Sequence, residues 1–280
     1  MFPTAAISPA NMDVRPSPNV CVVNLVSAAY FDPVFARQER FDPTTCSSSN
    51  QRMQHPLDDP VWSSLSGPHA KFSIGHGKAL HYRPNVSPFS AIAEASDAAY
   101  ADLAVHLPAD ALARLFRPSV ESLPVGWEHV DDFPLVQMIA GSKASRQATE
   151  SPDISILTAS DLPQMLDLVS LTEPGPFAQR TPELGLYVGI RENGRLIAMA
   201  GERMRPPGYV ELSAICTLPE ARGRGLAKFL IWRLMHAAIL RGETPFLHVK
   251  QTNASAISLY ERLGFTVRKT LHVLRRRPVR

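Results

Sequence analysis

The sequence predicts a mixed α/β protein, a mostly antiparallel central sheet flanked by helices and preceded by a smaller α/β domain. Three observations carry this. After Ser151, stretches with apolar residues at alternate positions and stretches with apolar residues every three or four positions follow one another in the order β-α-(α)-β-β-β-α-β-α-β. Asn193-Gly194 stands between two such strands, and these residues suit the left-handed positions of a two-residue hairpin turn. Finally, 280 residues that are 45% hydrophobic and 20% charged can bury a large core, which excludes wholesale disorder and a charge-rich coiled coil.

Residues 1–50 hold many Pro, Ser and Asn residues without a sustained period and read as a poorly ordered extension. Residues 51–140 read as the first domain. In it Val61–Leu65 is expected as a short helix, His69–Tyr82 as a hairpin turning at Gly75-His76-Gly77, and Ser96–Phe116 as one or two helices divided by Pro108. Leu135–Ala140 is expected as a strand. The small and polar stretch 141–152 reads as a linker, and residues 153–280 as the second domain. There the expected strands are Ile154–Leu157, Leu186–Ile190, Leu196–Met204, Tyr209–Cys216, Phe246–Val249 and Phe265–Val273. The helices begin at Asp161, Gly225 and Asn253. The last strand carries Phe265, Val267, Leu271 and Val273 on one parity, so one face is expected to be buried and the other wet. The helix after Gly225 has only a narrow polar stripe around Lys228, Arg233 and His236, which suggests packing on the sheet and also on the first domain or a second subunit, as in a homodimer.

A net charge of +3 is too small to argue for nucleic acid as the main partner, although residues 151–280 carry 18 basic against 11 acidic side chains. The tail Arg275-Arg276-Arg277 reads as solvated charge. Cys21, Cys46 and Cys216 are odd in number and widely spaced, which points to a reducing compartment. With no membrane span or signal peptide in the pattern, a cytoplasmic protein is expected.

The segment Arg222-Gly223-Arg224-Gly225-Leu226-Ala227 joins an apolar strand to a helix. Two glycines let successive amides turn inward without a Cβ in the way, and the helix start adds unpaired donors, so a pyrophosphate fits there. It is neither a dinucleotide fingerprint nor a Walker loop. Together with Asn253-Ala-Ser-Ala-Ile-Ser-Leu-Tyr260-Glu-Arg-Leu-Gly264-Phe265, it resembles the GNAT superfamily of acyl-CoA-dependent N-acyltransferases. Arg222, Gly225 and Ala227 match the family's Gln/Arg-x-x-Gly-x-Gly/Ala motif. The resemblance covers roughly Ile154 to Arg276. Within the superfamily it is similar to the branch containing glycine N-acyltransferase, in which a degenerate acyltransferase-like half precedes the active one.

The resemblance implies transfer of an acetyl or other short acyl group from acyl-CoA directly to a primary amine of a small molecule or amino acid. Acetyl-CoA would be the co-substrate, with no metal and neither nucleic acid nor membrane as partner. A non-catalytic CoA-binding module and a protein N-acetyltransferase are the alternatives. It implies a bulged strand whose amides at Ile215, Cys216 and Thr217 bind the thioester arm, with Phe246–Val249 as the splayed neighbour. Tyr260 matches the acid that protonates the leaving thiolate, and also fits a core aromatic; Asn253 matches a residue holding the cofactor arm, and also fits an N-cap. Glu211 is the candidate base or equally a cross-strand charge partner, with Glu202 in reserve. Cys216 reads as a small buried residue rather than a nucleophile, and His236 and His248 as packing or surface residues rather than metal ligands. The loop around Leu171–Thr181, with Pro174, Gly175, Pro176 and Phe177, is expected to line the amine side.

Overall fold

The computed structural model describes residues 55–108, 110–141 and 152–279. The expected extension 1–50, with Cys21 and Cys46, and most of the expected linker lie outside them. The helices are α1 (Pro60–Leu65), α2 (Asp97–His106), α3 (Leu162–Thr172), α4 (Leu226–Leu240) and α5 (Ala254–Arg262). The strands of the first part are β1 (Ser73–His76), β2 (Ala79–Tyr82), β3 (Ser90–Ile92), β4 (Ala113–Arg117) and β5 (Trp127–Ala140). Those of the second are β6 (Ile154–Ile156), β7 (Tyr187–Glu192), β8 (Arg195–Glu202), β9 (Tyr209–Thr217), β10 (Thr244–Lys250) and β11 (Phe265–Pro278).

Local chemistry accounts for most boundaries. Asp59 caps α1, Ser96 caps α2 and Asn253 caps α5, each accepting an amide of the first turn. Asn193 and Gly194 take φ +51° and +79°, which closes β7 on β8 with Glu192 opposite Arg195. The first hairpin turns at Gly77-Lys78 rather than Gly75-His76-Gly77, because His76 pairs with Ala79. The second helix expected before Phe116 is the strand β4, since Pro108 ends the helical run and Leu115 and Phe116 are needed in the sheet core.

The strands form one eleven-stranded order, β1-β2-β3-β4-β11-β5-β10-β9-β8-β7-β6. Each side of the order begins with an antiparallel meander, then crosses through a helix to a parallel neighbour: β3 to β4 through α2, and β9 to β10 through α4. The last strand of each side lies in the other side's half. β5 pairs antiparallel with β10, β11 pairs antiparallel with β4, and the two pair with each other over most of their length. Segments on either side of 141–152 therefore share one sheet.

A bulge between Val267 and Lys269 breaks the expected parity of β11. Phe265 packs in one core with α4, whereas Leu271 and Val273 pack in the other with Phe116 and Phe246, and Val267 is left 56% exposed. The helix α4 buries Leu226, Leu230, Ile231, Leu234 and Met235 against the sheet, with Ile239 and Leu240 exposed.

Candidate active site

β9 and β10 pair only at their starts, through Thr244 with Tyr209, Pro245 with Val210 and Phe246 with Glu211. Beyond that point they part, and a cleft of about 490 Å³ is lined by both. The bulge in β9 lies here. Its register with β8 slips so that Ala214 and Ile215 together face Ala200, and Ala214 takes φ +49°. Leu218 donates to the Ile197 carbonyl at 2.9 Å and Arg203 to that of Glu211 at 3.0 Å. Alternation along the ladder then turns the Ser213 and Cys216 amides to β8 and those of Ala214 and Thr217 toward the cleft. The amide expected from Cys216 is thus committed to the sheet, and Ala214 supplies one instead.

At the far end of β9 the chain turns through Gly223 and Gly225, at φ +78° and +73°. Among the described residues, and apart from the chain neighbours, no heavy atom lies within 4 Å of where a Cβ would stand on either. Gly225 is the N-cap of α4, and the amides of Leu226 and Ala227 that follow are first-turn donors without an intrahelical acceptor. This is a cradle of the size and polarity a diphosphate requires. Arg222 lines the cleft and donates to the Thr217 carbonyl at 3.3 Å. Arg224 instead pairs with Glu192 at 3.1 Å, both about half exposed, so its pull on an anion is divided and screened.

Asn253 and Tyr260 line the same cleft from α5. The Asn253 carboxamide oxygen accepts from the Ala256 amide at 3.2 Å, so the capping role is present. Tyr260 is 8% exposed, with its ring 6.1 Å from that of Phe265, and burial pushes its phenol up to about 12. Burial likewise pushes the Cys216 thiol up to about 11. A thiol so placed is a poor nucleophile at neutral pH.

Glu211 differs from its expected place: it is buried behind the cleft wall and does not line it. Arg203 donates to it at 2.8 and 2.6 Å, and His248 Nδ1 stands 2.7 Å from the same carboxylate. Burial alone would raise its pKa, but the Arg203 charge, the Arg203 hydrogen bonds and His248 outweigh this and bring it to about 2. A carboxylate held that low is a weak base. The carboxamide orientation of Gln137 is fixed by Arg268, which donates to its oxygen at 2.8 Å. Its NH2 therefore donates to the Leu57 carbonyl at 2.9 Å and to His248 Nε2 at 3.0 Å, leaving the His248 proton on Nδ1 toward Glu211. Arg203 and His248 do line the cleft, so His248 is a wall residue of the site as well as a packed one. Glu202 lies elsewhere, held by Arg205 at 2.5 Å, Arg241 at 2.6 Å and the Leu186 amide at 3.0 Å.

The opposite wall comes from the first part of the chain and from the α3–β7 loop. Phe89, Phe116 and Phe133 line it, as do Thr172 to Pro176. Pro174, Gly175 and Pro176 thus line the cleft, whereas Phe177 packs on Tyr187 at 5.8 Å in the core. Glu173, Arg203 and the phenylalanines were not singled out in the sequence. The pairing of Arg203 with Glu211 was readable, because the Pro206-Pro207-Gly208 turn sets those two positions opposite.

A parallel pair splayed at a bulge, with a glycine turn below it and a tyrosine beside it, defines an acyl-CoA-dependent transferase. The chain belongs to the GNAT family of acetyltransferases, which use acetyl-CoA as co-substrate. Residues 187–273 match the family described as FR47-like protein. The chain is similar to the N-alpha-acetyltransferase RimI of Mycobacterium tuberculosis, with 33% identity over 128 residues, 42% of this chain and 80% of that protein. It is also similar to the ribosomal protein bS18-alanine N-acetyltransferase of Escherichia coli, 30% identical over 42% of this chain and 86% of that protein. A crystal structure from Novosphingobium aromaticivorans assigned to the GNAT family has 41% identity and a TM-score of 0.74, covering 80% of this chain and 99% of that one.

Proposed function

We propose that the protein moves an acetyl group from acetyl-CoA directly to a primary amine of a small molecule. The observation that carries this is the opening of β9 from β10 at the Ala214–Ile215 bulge, which leaves strand amides facing a cleft that also holds Tyr260. The Gly223–Ala227 turn and Arg222 hold the diphosphate, while Asn253 and the Thr217 amide flank the pantetheine arm. The Ala214 amide receives the charge that develops on the thioester oxygen. The amine lone pair attacks the carbonyl carbon and the C–S bond breaks. The sulfur takes the Tyr260 proton, the proton from nitrogen leaves to solvent, and solvent returns a proton to the Tyr260 phenolate.

The small-molecule reading is supported by the aromatic wall from residues 89–133, which bounds the acceptor side. The similarity to the two N-terminal and ribosomal-protein acetyltransferases favours the second reading, a protein amine. The likeness to the glycine N-acyltransferase branch is supported by the repeated meander–helix–parallel strand order. In the first repeat Arg117 bridges the two strand ends, donating to Ile92 O at 3.2 Å and to Asp59 at 3.0 Å, and the turn Ala93-Glu94-Ala95-Ser96 has no glycine. Thiol release from acetyl-CoA with a panel of amines and N-terminal peptides tests the proposal. Release with small amines is expected, and Tyr260→Phe should reduce it tenfold or more with CoA affinity unchanged. Release only with peptides would replace the first reading by the second, and none with either would remove both.

A further inference from the structure

Resting on the acyl-transfer reading, we infer that the acceptor is a cationic amine with an apolar, aryl-sized body, its ammonium received by Glu173 and its body by the phenylalanine wall. The bound ammonium gives up one proton to solvent before its nitrogen attacks, so Glu173 serves binding and not the transfer step. Arg203, Arg222 and Lys250 are the arginines and lysines among the described residues that line the cleft, and the Arg203 charge is already met by Glu211. Glu173 is the only carboxylate among the described residues lining the cleft, and its side chain has no ion-pair partner among them. Glu173 is the C-cap of α3 in the left-handed conformation common at helix ends, and its side chain is exposed.

The apolar side is equally specific. Phe133 and Val273 are directly paired across β5 and β11, and with Phe89, Phe116 and Leu135 they line one end of the cleft. Phe89 and Phe116 are only 4% and 1% exposed, so they form the floor of a closed end, whereas Phe133 is half-buried and borders the space itself. An amine with a flat apolar group removes this surface from water while its charge stays at Glu173, and a polar amine gains neither.

The test separates this from the transfer reading by measuring binding as well as turnover. Titrate 2-phenylethylamine, 2-phenylethanol and ethanolamine into full-length protein saturated with CoA, then measure acetyl transfer to both amines. The expected order is 2-phenylethylamine tightest, with each of the other two weaker by about tenfold, equivalent to about 1.4 kcal/mol. Glu173→Gln should raise Kd and KM for 2-phenylethylamine about tenfold while leaving its affinity for CoA and its binding of 2-phenylethanol unchanged. Phe133→Ala should weaken both aryl ligands and spare ethanolamine. Equal binding of all three, or no effect of Glu173→Gln on the amine, overturns the inference. So does a preference for hexanoyl-CoA over acetyl-CoA that Phe133→Ala abolishes, since the wall would then hold the acyl chain. Amine binding that depends on Glu173 without any acetyl transfer would instead sink the transfer reading and leave the subsite standing.

Discussion

Tyr260, the proposed proton donor to sulfur, borders the cleft, and burial pushes its phenol up to about 12, which keeps it protonated while making it a weaker acid than an ordinary tyrosine. It therefore stays protonated through the neutral range, and no alkaline loss of rate below about pH 11 should come from it. A pH profile of kcat with Tyr260 intact checks this; a limb near pH 9 that vanishes in Tyr260→Phe would contradict it. Cys216→Ala should keep kcat within about threefold, because a thiol pushed up to about 11 takes no part in direct transfer. Loss of nearly all turnover would point to an acyl-cysteine instead. Glu211 makes its contribution to stability. Replacing it with Ala leaves Arg203 charged and unpaired in the interior, and a loss of about 3–5 kcal/mol is expected in denaturant titration. Its folded pKa, near 2, lies below the ordinary 4.5, so the Glu211 contribution is complete above about pH 4.5 and fades as the pH falls toward 2. Wild-type stability should drop across that window more steeply than that of Glu211→Gln.

The bulge of β9 is the element on which the proposed mechanism rests. A β-branched residue fits φ +49° badly, so Ala214→Val should flatten the bulge and draw the strand toward regular pairing. We expect kcat to fall about 10²- to 10³-fold with little change in CoA affinity, the signature of a lost oxyanion donor. An unchanged kcat would place the thioester oxygen elsewhere. Much of this element was legible in advance. The glycine turn, the N-cap Asn253, the Asn193-Gly194 hairpin and the strand–loop–helix order all depend on local chemistry that a sequence displays. The amide that faces the cleft at Ala214 was not, because a bulge is set by the pairing of two strands and alanine carries no mark of it. β4 was lost for a similar reason: in isolation Ala113–Arg117 has helical propensity, and only the demand of neighbouring β11 for a partner makes it a strand.

At the scale of the whole molecule, exchange of the last strands joins the two parts of the described chain. β5 separates β10 from β11, so residues 152–280 alone would leave β10 with an open edge and β11 without either neighbour. Calorimetry should show one cooperative unfolding transition for the sheet, and two well-separated transitions would contradict that. Such long-range pairing lies beyond what local periodicity reveals, and for that reason the aromatic wall of the cleft from residues 89–133 was invisible in the sequence. The glycine turn and the α5 residues that line the cleft were readable because each group lies close together along the chain. Calorimetric titration of CoA into the wild-type protein and Gly223→Val tests the centre of the account. Among the described residues no other heavy atom stands beside Gly223, but a β-branched residue fits its φ of +78° badly, so the variant should fold with a loss of about 1–2 kcal/mol and a displaced turn. One-to-one binding by the wild type, weakened at least tenfold in the variant, is the expected result; no heat from the wild type, or equal affinity in both, would contradict it.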